Sequence, residues 1–213
     1  MSLRLAVLCS GRGTNLAAVQ AAIAQHTLDA EIVGVFSDKP KAEALQRVPA
    51  HLRWSQPVRA FETREAYEAA LTDAVAAVHP DLVLCAGYMR ILSSGFISAQ
   101  RGQIINIHPS LLPKFPGLDT HQRALDAGES THGATVHQVI PELDAGPVLG
   151  QTSLAIRPNE NADALAARVL DAEHVLLRAV LAQLATGGMK LNENGVYSPG
   201  HAEFNPLRLE CGE

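Results

Sequence analysis

The chain has 213 residues and is 47% hydrophobic, enough to bury a full core and near the upper end of what one domain holds. Its 22 acidic residues outnumber 17 basic ones for a formal net charge of -5, and no basic run is dense enough to neutralise several phosphates of a polymer, which argues against nucleic acid as the main partner. No stretch reaches the roughly 18 apolar residues of a membrane span, the start MSLRLAVLC lacks the layout of a signal peptide, and Cys9, Cys85 and Cys211 lie too far apart for a disulfide framework or zinc site, so a soluble cytoplasmic protein is expected.

In chain order, short apolar runs at 5–8, 32–36, 82–86 and 104–107 read as strands, and the segments at 15–24 and 64–78 between them have helix-forming composition. The second helix is expected to stop at His79-Pro80, because a residue before proline is pushed out of the helical region. This alternation predicts an α/β fold: one domain, a mostly parallel twisted sheet, helices on both faces and right-handed crossovers. From Thr131 the pattern changes, and TVHQVI (135–140) and the run 148–156 flank the turn-rich PELDAGP, predicting a hairpin or long connection. A long helix over 162–185 follows and stops before Gly187-Gly188, and the tail, with NENG and YSPG, reads as irregular strand and turn.

Several places on this frame have the residues for chemistry. CSGRGTN, Cys9 to Asn15, follows the first strand and opens the first helix, where backbone N–H groups attract anions; it reads as a phosphate loop or as a plain capped turn. In IINIH, alternation puts Ile105 and Ile107 on one face and Asn106 with His108 on the other, at the carboxyl end of a strand, where open parallel sheets bind ligands. An amide there suits a developing oxyanion and an imidazolium suits proton transfer. Asp144 in ELDAGP is either an Asx-turn residue or, if it lies near His108, a carboxylate that raises the pKa of that histidine. Met89 to Leu92 read equally as a strand end and as a pocket wall, and Glu173 with His174 as the polar stripe of the last helix. His121, His132 and His137 lack metal-ligand spacing and read as hydrogen-bonding or surface residues.

Taken together, SGRGTN at 10–15, AGYMRIL at 86–92, NIHPSLLPKFPG at 106–117, HGATVH at 132–137 and ELDAGPV at 142–148 resemble, in order and spacing, the glycinamide ribonucleotide formyltransferases. NIHPSLLP alone is shared with methionyl-tRNA formyltransferases and formyltetrahydrofolate hydrolases; the phosphate loop and the compact length separate them. The resemblance implies a Rossmann-like formyltransferase domain over 1–213, with a phosphate-binding half of about 1–100 and a folate-binding and catalytic half of about 101–213. It implies transfer of the formyl group of 10-formyltetrahydrofolate, a co-substrate, to the amine of glycinamide ribonucleotide, in purine synthesis and without a metal.

By the same likeness Asn106, His108 and Asp144 are catalytic. Gly11, Arg12, Gly13, Thr14, Asn15 and Glu173 bind the ribonucleotide, with Glu173 facing its glycinamide end. Arg64 meets the glutamate tail of the folate. Met89, Arg90, Ile91, Leu92, Asn106 and the segment Ile140, Pro141, Glu142, Leu143 and Asp144 form the folate site. The sequence departs from the family pattern at Asp119, where a histidine is expected; Arg12 is a bulky cation in a phosphate loop, and VPAHLRWSQPVR (48–59) has no counterpart. The expected partners are small molecules, with no nucleic acid and no membrane, and the expected state is a monomer or weak homodimer. The alternatives are a formyltetrahydrofolate hydrolase, against which the phosphate loop argues, and a non-catalytic nucleotide- or folate-binding module.

Overall fold

A computed structural model of the chain describes residues 2–200 and 203–211. Met1, on which the absence of a signal peptide was argued, and residues 201–202 and 212–213 of the expected span lie outside the described residues. The main sheet has the order β10-β7-β6-β5-β4-β1-β2-β3. Its strands are β1 (Leu3–Leu8), β2 (Ala30–Ser37), β3 (Arg53–Ser55), β4 (Leu82–Cys85), β5 (Ile104–His108), β6 (Thr131–Gln138), β7 (Val148–Ala155) and β10 (Leu207–Glu210). Only β6 runs against its neighbours, since it pairs antiparallel with β5 and β7 while every other pair in this sheet is parallel. β8 (Lys190–Asn192) and β9 (Gly195–Tyr197) form a separate hairpin around NENG.

Alternation along the strands sorts the core into two layers. Leu5, Val7, Ile105 and Ile107 pack with Leu16 and Val19 of α1 (Thr14–Ala24) and with Val169, Leu176 and Val180 of α5 (Ala162–Thr186). Ala6, Leu8, Val83 and Ile104 point the other way, onto Tyr67, Leu71 and Val75 of α2 (Arg64–Ala77) and Phe96 of α3 (Ser94–Ala99). β1 and β4 are therefore covered on both faces, which is why they read as continuous apolar runs. Each end of α2 has a local cause: the Ala66 N–H donates to the Thr63 hydroxyl 3.1 Å away, and His79-Pro80 ends it one residue earlier than expected.

Several short elements lie outside the expected set, among them the 3-10 segment Glu43–Arg47. α3 and α4 (Thr120–Asp126) have only six and seven residues, too short to show helical periodicity. The unmatched stretch 48–59 forms two single 3-10 turns and the edge strand β3, and the tail adds β10 to the main sheet. Among the described residues no helix is long and apolar enough to cross a membrane.

Candidate active site

The exit of β1 builds the first part of the site. Gly13 has φ +70° and a Cβ there would lie 2.6 Å from that of Ala44, so this position needs glycine both for its backbone and for the close approach. The segment Glu43–Arg47 ties the loop down: Ala44 N–H donates to the Gly11 carbonyl (3.1 Å) and Arg47 Nε to the Arg12 carbonyl (2.9 Å). No side chain caps α1 at Gly13, so the amides of the first turn and the positive end of the helix dipole are left for an anion. The Arg12 residue itself is exposed.

Asn15, in the first turn of α1, is buried and donates from Nδ2 to Glu173 Oε2 at 2.8 Å, while its Oδ1 is buried without a protein partner. This corrects the reading of Glu173 as part of a solvated stripe, because α5 lies against α1 and turns this carboxyl inward. Burial pushes the Glu173 pKa up to about 7, and the Asn15 donor offsets only part of that. Two residues 158 apart in sequence, both expected to bind the ribonucleotide, thus meet beside the glycine-rich loop after β1.

The second part is a cavity of about 680 Å³ at the carboxyl ends of β4 and β5. Its walls include Met89, Arg90, Ile91 and Leu92, Asn106 and His108, and the whole segment from Ile140 to Asp144. Met89, Ile91, Leu118 and Leu143 are more than half exposed around it, an apolar rim suited to a flat aromatic ligand. Arg64 is not part of the wall. Its Nε pairs with Glu68 at 2.9 Å and its Nη2 donates to the Ile91 carbonyl, so it holds the wall's backbone from outside. Arg90 turns its guanidinium onto Asp38, with Nε 2.9 Å from Oδ2. Asp119, at φ +56°, lines the cavity and precedes α4.

On the cavity wall sits a polar cluster that the strand register assembles. Asn106 sits opposite Cys85 of β4 and opposite His137 of β6. His137 Nδ1–H donates to the Gln138 carbonyl at 2.9 Å, which leaves Nε2 to accept from Asn106 Nδ2 at 3.2 Å. Asp144 closes the cluster, with Oδ2 3.4 Å from His108 Nδ1 and Oδ1 3.5 Å from His137 Nε2, and with the Gly117 N–H donating to Oδ2 at 2.8 Å. Burial disfavours the charged carboxyl, but the contact with His137, the Gly117 N–H donor and the neighbouring imidazoles outweigh it and hold Asp144 below its ordinary pKa.

Asp144 raises the His108 pKa, as expected, but not by enough to keep the imidazole protonated. His108 is only 6% exposed, and burial lowers its pKa below 6.5 by more than the Phe115 carbonyl and Asp144 restore. His108 is therefore mainly neutral at pH 7 in the ligand-free protein. Both of its nitrogens nevertheless face acceptors, Nε2 the Phe115 carbonyl at 3.0 Å and Nδ1 Asp144, so an imidazolium formed there is held on both sides.

His137, Phe115 and Asp38 were not foreseen as parts of the site; the alternation of Thr135 and His137 in β6 was the available signal for the first, once β6 is paired against β5. His121 Nδ1 lies 3.2 Å from His132 Nε2, and burial lowers the His132 pKa to about 4, so the reading of these two as hydrogen-bonding residues matches their geometry. Among the described residues no three His, Cys, Asp or Glu side chains are grouped to hold a metal ion.

Residues 3–181 match the family model described as formyl transferase. Over 203 residues the chain is 39% identical to the phosphoribosylglycinamide formyltransferase of Escherichia coli strain K12, covering 93% of this chain and 94% of that protein. The trifunctional purine biosynthetic protein adenosine-3 of Homo sapiens is 35% identical over 197 residues, which is 90% of this chain and 19% of that longer protein. The solved phosphoribosylglycinamide formyltransferase of Coxiella burnetii superposes with a TM-score of 0.90 at 39% identity, over 98% of this chain and 100% of that one. With fold, motifs and near full-length identity in agreement, the chain belongs to the phosphoribosylglycinamide formyltransferases of the formyl transferase family.

Proposed function

We infer that Asn106, His108 and Asp144 carry the reaction of this enzyme, with the cavity at 89–92 and 140–144 holding the folate and the loop at 11–15 the phosphate of the ribonucleotide. The enzyme is a formyltransferase of purine biosynthesis, which moves the formyl group of 10-formyltetrahydrofolate to the amine of glycinamide ribonucleotide. The observation that carries the residue assignment is the convergence of Asn106, His108 and Asp144, from β5 and the β6–β7 loop, on the wall of one cavity.

The neutral amine attacks the formyl carbon, and the carbonyl oxygen becomes negative in the tetrahedral intermediate. One N–H of the Asn106 amide is occupied by His137, and the other remains for that oxygen. New negative charge beside His108 raises its proton affinity, so the proton that the attacking amine gives up converts it to imidazolium as the oxyanion forms, held by Asp144 and the Phe115 carbonyl until it passes to N10. The amine loses one proton, the bond from the formyl carbon to N10 breaks, and N10 gains one proton. Asp144, kept ionised by its donors, passes that proton along with His108.

The test follows tetrahydrofolate release from 10-formyltetrahydrofolate by absorbance, with and without glycinamide ribonucleotide, for the native chain and for Asp144→Asn. Release that requires the ribonucleotide and collapses in the variant supports the assignment. Release without the ribonucleotide means hydrolysis, and full activity in Asp144→Asn removes Asp144 from the mechanism.

A further inference from the structure

We propose that Asp38 is a positioning residue that couples the ribonucleotide and folate sites, by holding the phosphate loop through Ser10 and the folate-pocket wall through Arg90 at the same time. The proposal rests on the reading of those two sites given above. Asp38 follows β2, and in the sheet β2, β1 and β4 are neighbours, so the loops leaving these three strands lie side by side. The Asp38 side chain is 2% exposed, and each of its oxygens takes one donor. The Ser10 hydroxyl donates to Oδ1 at 2.6 Å and Arg90 Nε to Oδ2 at 2.9 Å. Arg90 starts in the loop after β4, so its guanidinium reaches across the β1 exit to arrive there. Beneath it, Met89 N–H donates to Ser10 Oγ and Ser10 N–H to the Gly87 carbonyl, both at 2.9 Å.

One buried carboxylate therefore depends on two donors, one from each ligand site. A buried charge that loses a donor keeps its desolvation cost, so loosening either loop weakens the hold on the other. A ligand that orders the phosphate loop prepays part of the ordering of the Met89–Arg90 wall, and the converse holds by linkage. The inference concerns affinity: each substrate tightens the other by the same factor.

The experiment titrates tetrahydrofolate, which has no formyl group to transfer, into the full chain with and without glycinamide ribonucleotide. In the native protein the ribonucleotide lowers the tetrahydrofolate Kd by about 5-fold or more. Asp38→Asn keeps an oxygen for Ser10 but turns an amide toward Arg90, and the factor falls to near 1. Arg90→Gln, at a half-exposed side chain that the fold does not bury, gives the same loss independently of any folding defect in Asp38→Asn. The double variant loses nothing more. A coupling factor unchanged in both single variants overturns the proposal, as does independent binding of both ligands by the native chain. Failure of the native chain to bind either ligand overturns the reading of the sites, and the coupling with it.

Discussion

Asn106 and Glu173 show how a single side chain takes its role from its neighbours. The Asn106 amide is oriented by His137, and in the proposed oxyanion role such a donor is worth about 3 to 4 kcal/mol in the barrier. Asn106→Ala is expected to lower kcat by about 10² to 10³-fold, while ribonucleotide binding measured by calorimetry stays within about twofold, since the phosphate loop is a separate structure. Lost binding with unchanged turnover of bound substrate would contradict the oxyanion role. Glu173 has a folded pKa of about 7 against an ordinary 4.5, so the folded state holds the proton over a range in which the unfolded chain releases it. Stability is accordingly lost as pH rises from 4.5 to about 7, and the cost is constant above that. Glu173→Gln removes the cost and is expected to raise Tm at pH 8 by roughly 5 °C, to leave Tm at pH 4 unchanged, and to weaken ribonucleotide binding. An equal gain at both pH values would show that the carboxyl's titration is not the cause.

At the level of elements, the antiparallel entry of β6 decides which side chains stand beside Asn106 and His108. Reversal of this one strand puts His137 beside Asn106 and Thr135 beside His108. Thr135 Oγ1 then donates to the Ser110 carbonyl and accepts from Leu112 N–H and Gln151 Nε2, which fixes the loop leaving β5. The β6–β7 connection must fold tightly back to bring Asp144 to His108. A Cβ on Gly146 would lie 1.9 Å from the Gln138 carbonyl and 3.6 Å from His137 Nδ1, so this glycine permits the return. Gly146→Ala is expected to displace the Asp144 loop by roughly 1 Å and to lower kcat by about 100-fold, with ribonucleotide affinity retained. Native turnover in that variant would mean that the loop position is not limiting. From the sequence, Gly146 looked only like part of a turn, because its constraint comes from a carbonyl on the preceding strand.

Across the whole molecule, β10 closes the β7 edge of the sheet after a hairpin has already left it. Leu207 and Leu209 pack on the main core and the Arg208 guanidinium meets Gln151 Oε1, while Gln151 Nε2 donates to the Leu112 carbonyl at 2.7 Å. The tail thus reaches the loop leaving β5 through one side chain. Deletion of the chain after Pro206 is expected to cost about 2 kcal/mol, or roughly 6 °C in Tm, and to leave β7 as an open edge prone to association. An unchanged Tm would show that β10 only decorates the sheet.

The sequence by itself determined the α/β alternation, the strands β1, β2, β4 and β5 and the glycine-rich turn after β1, because strand and helix periods and glycine-rich turns are local properties written over adjacent residues. It also placed Asn106 and His108 on one face at a strand end, since side-chain alternation needs no partner strand. What only the tertiary structure decided were relations between distant segments. These include the pairing of Asn15 with Glu173, the approach of Asp144 and His137, the Asp38 bridge, and Arg64 turning to the pocket's backbone. The sign of the His108 shift belongs here as well: Asp144 acts in the expected direction, but the cost of burying an imidazolium, set by everything packed around it, is larger.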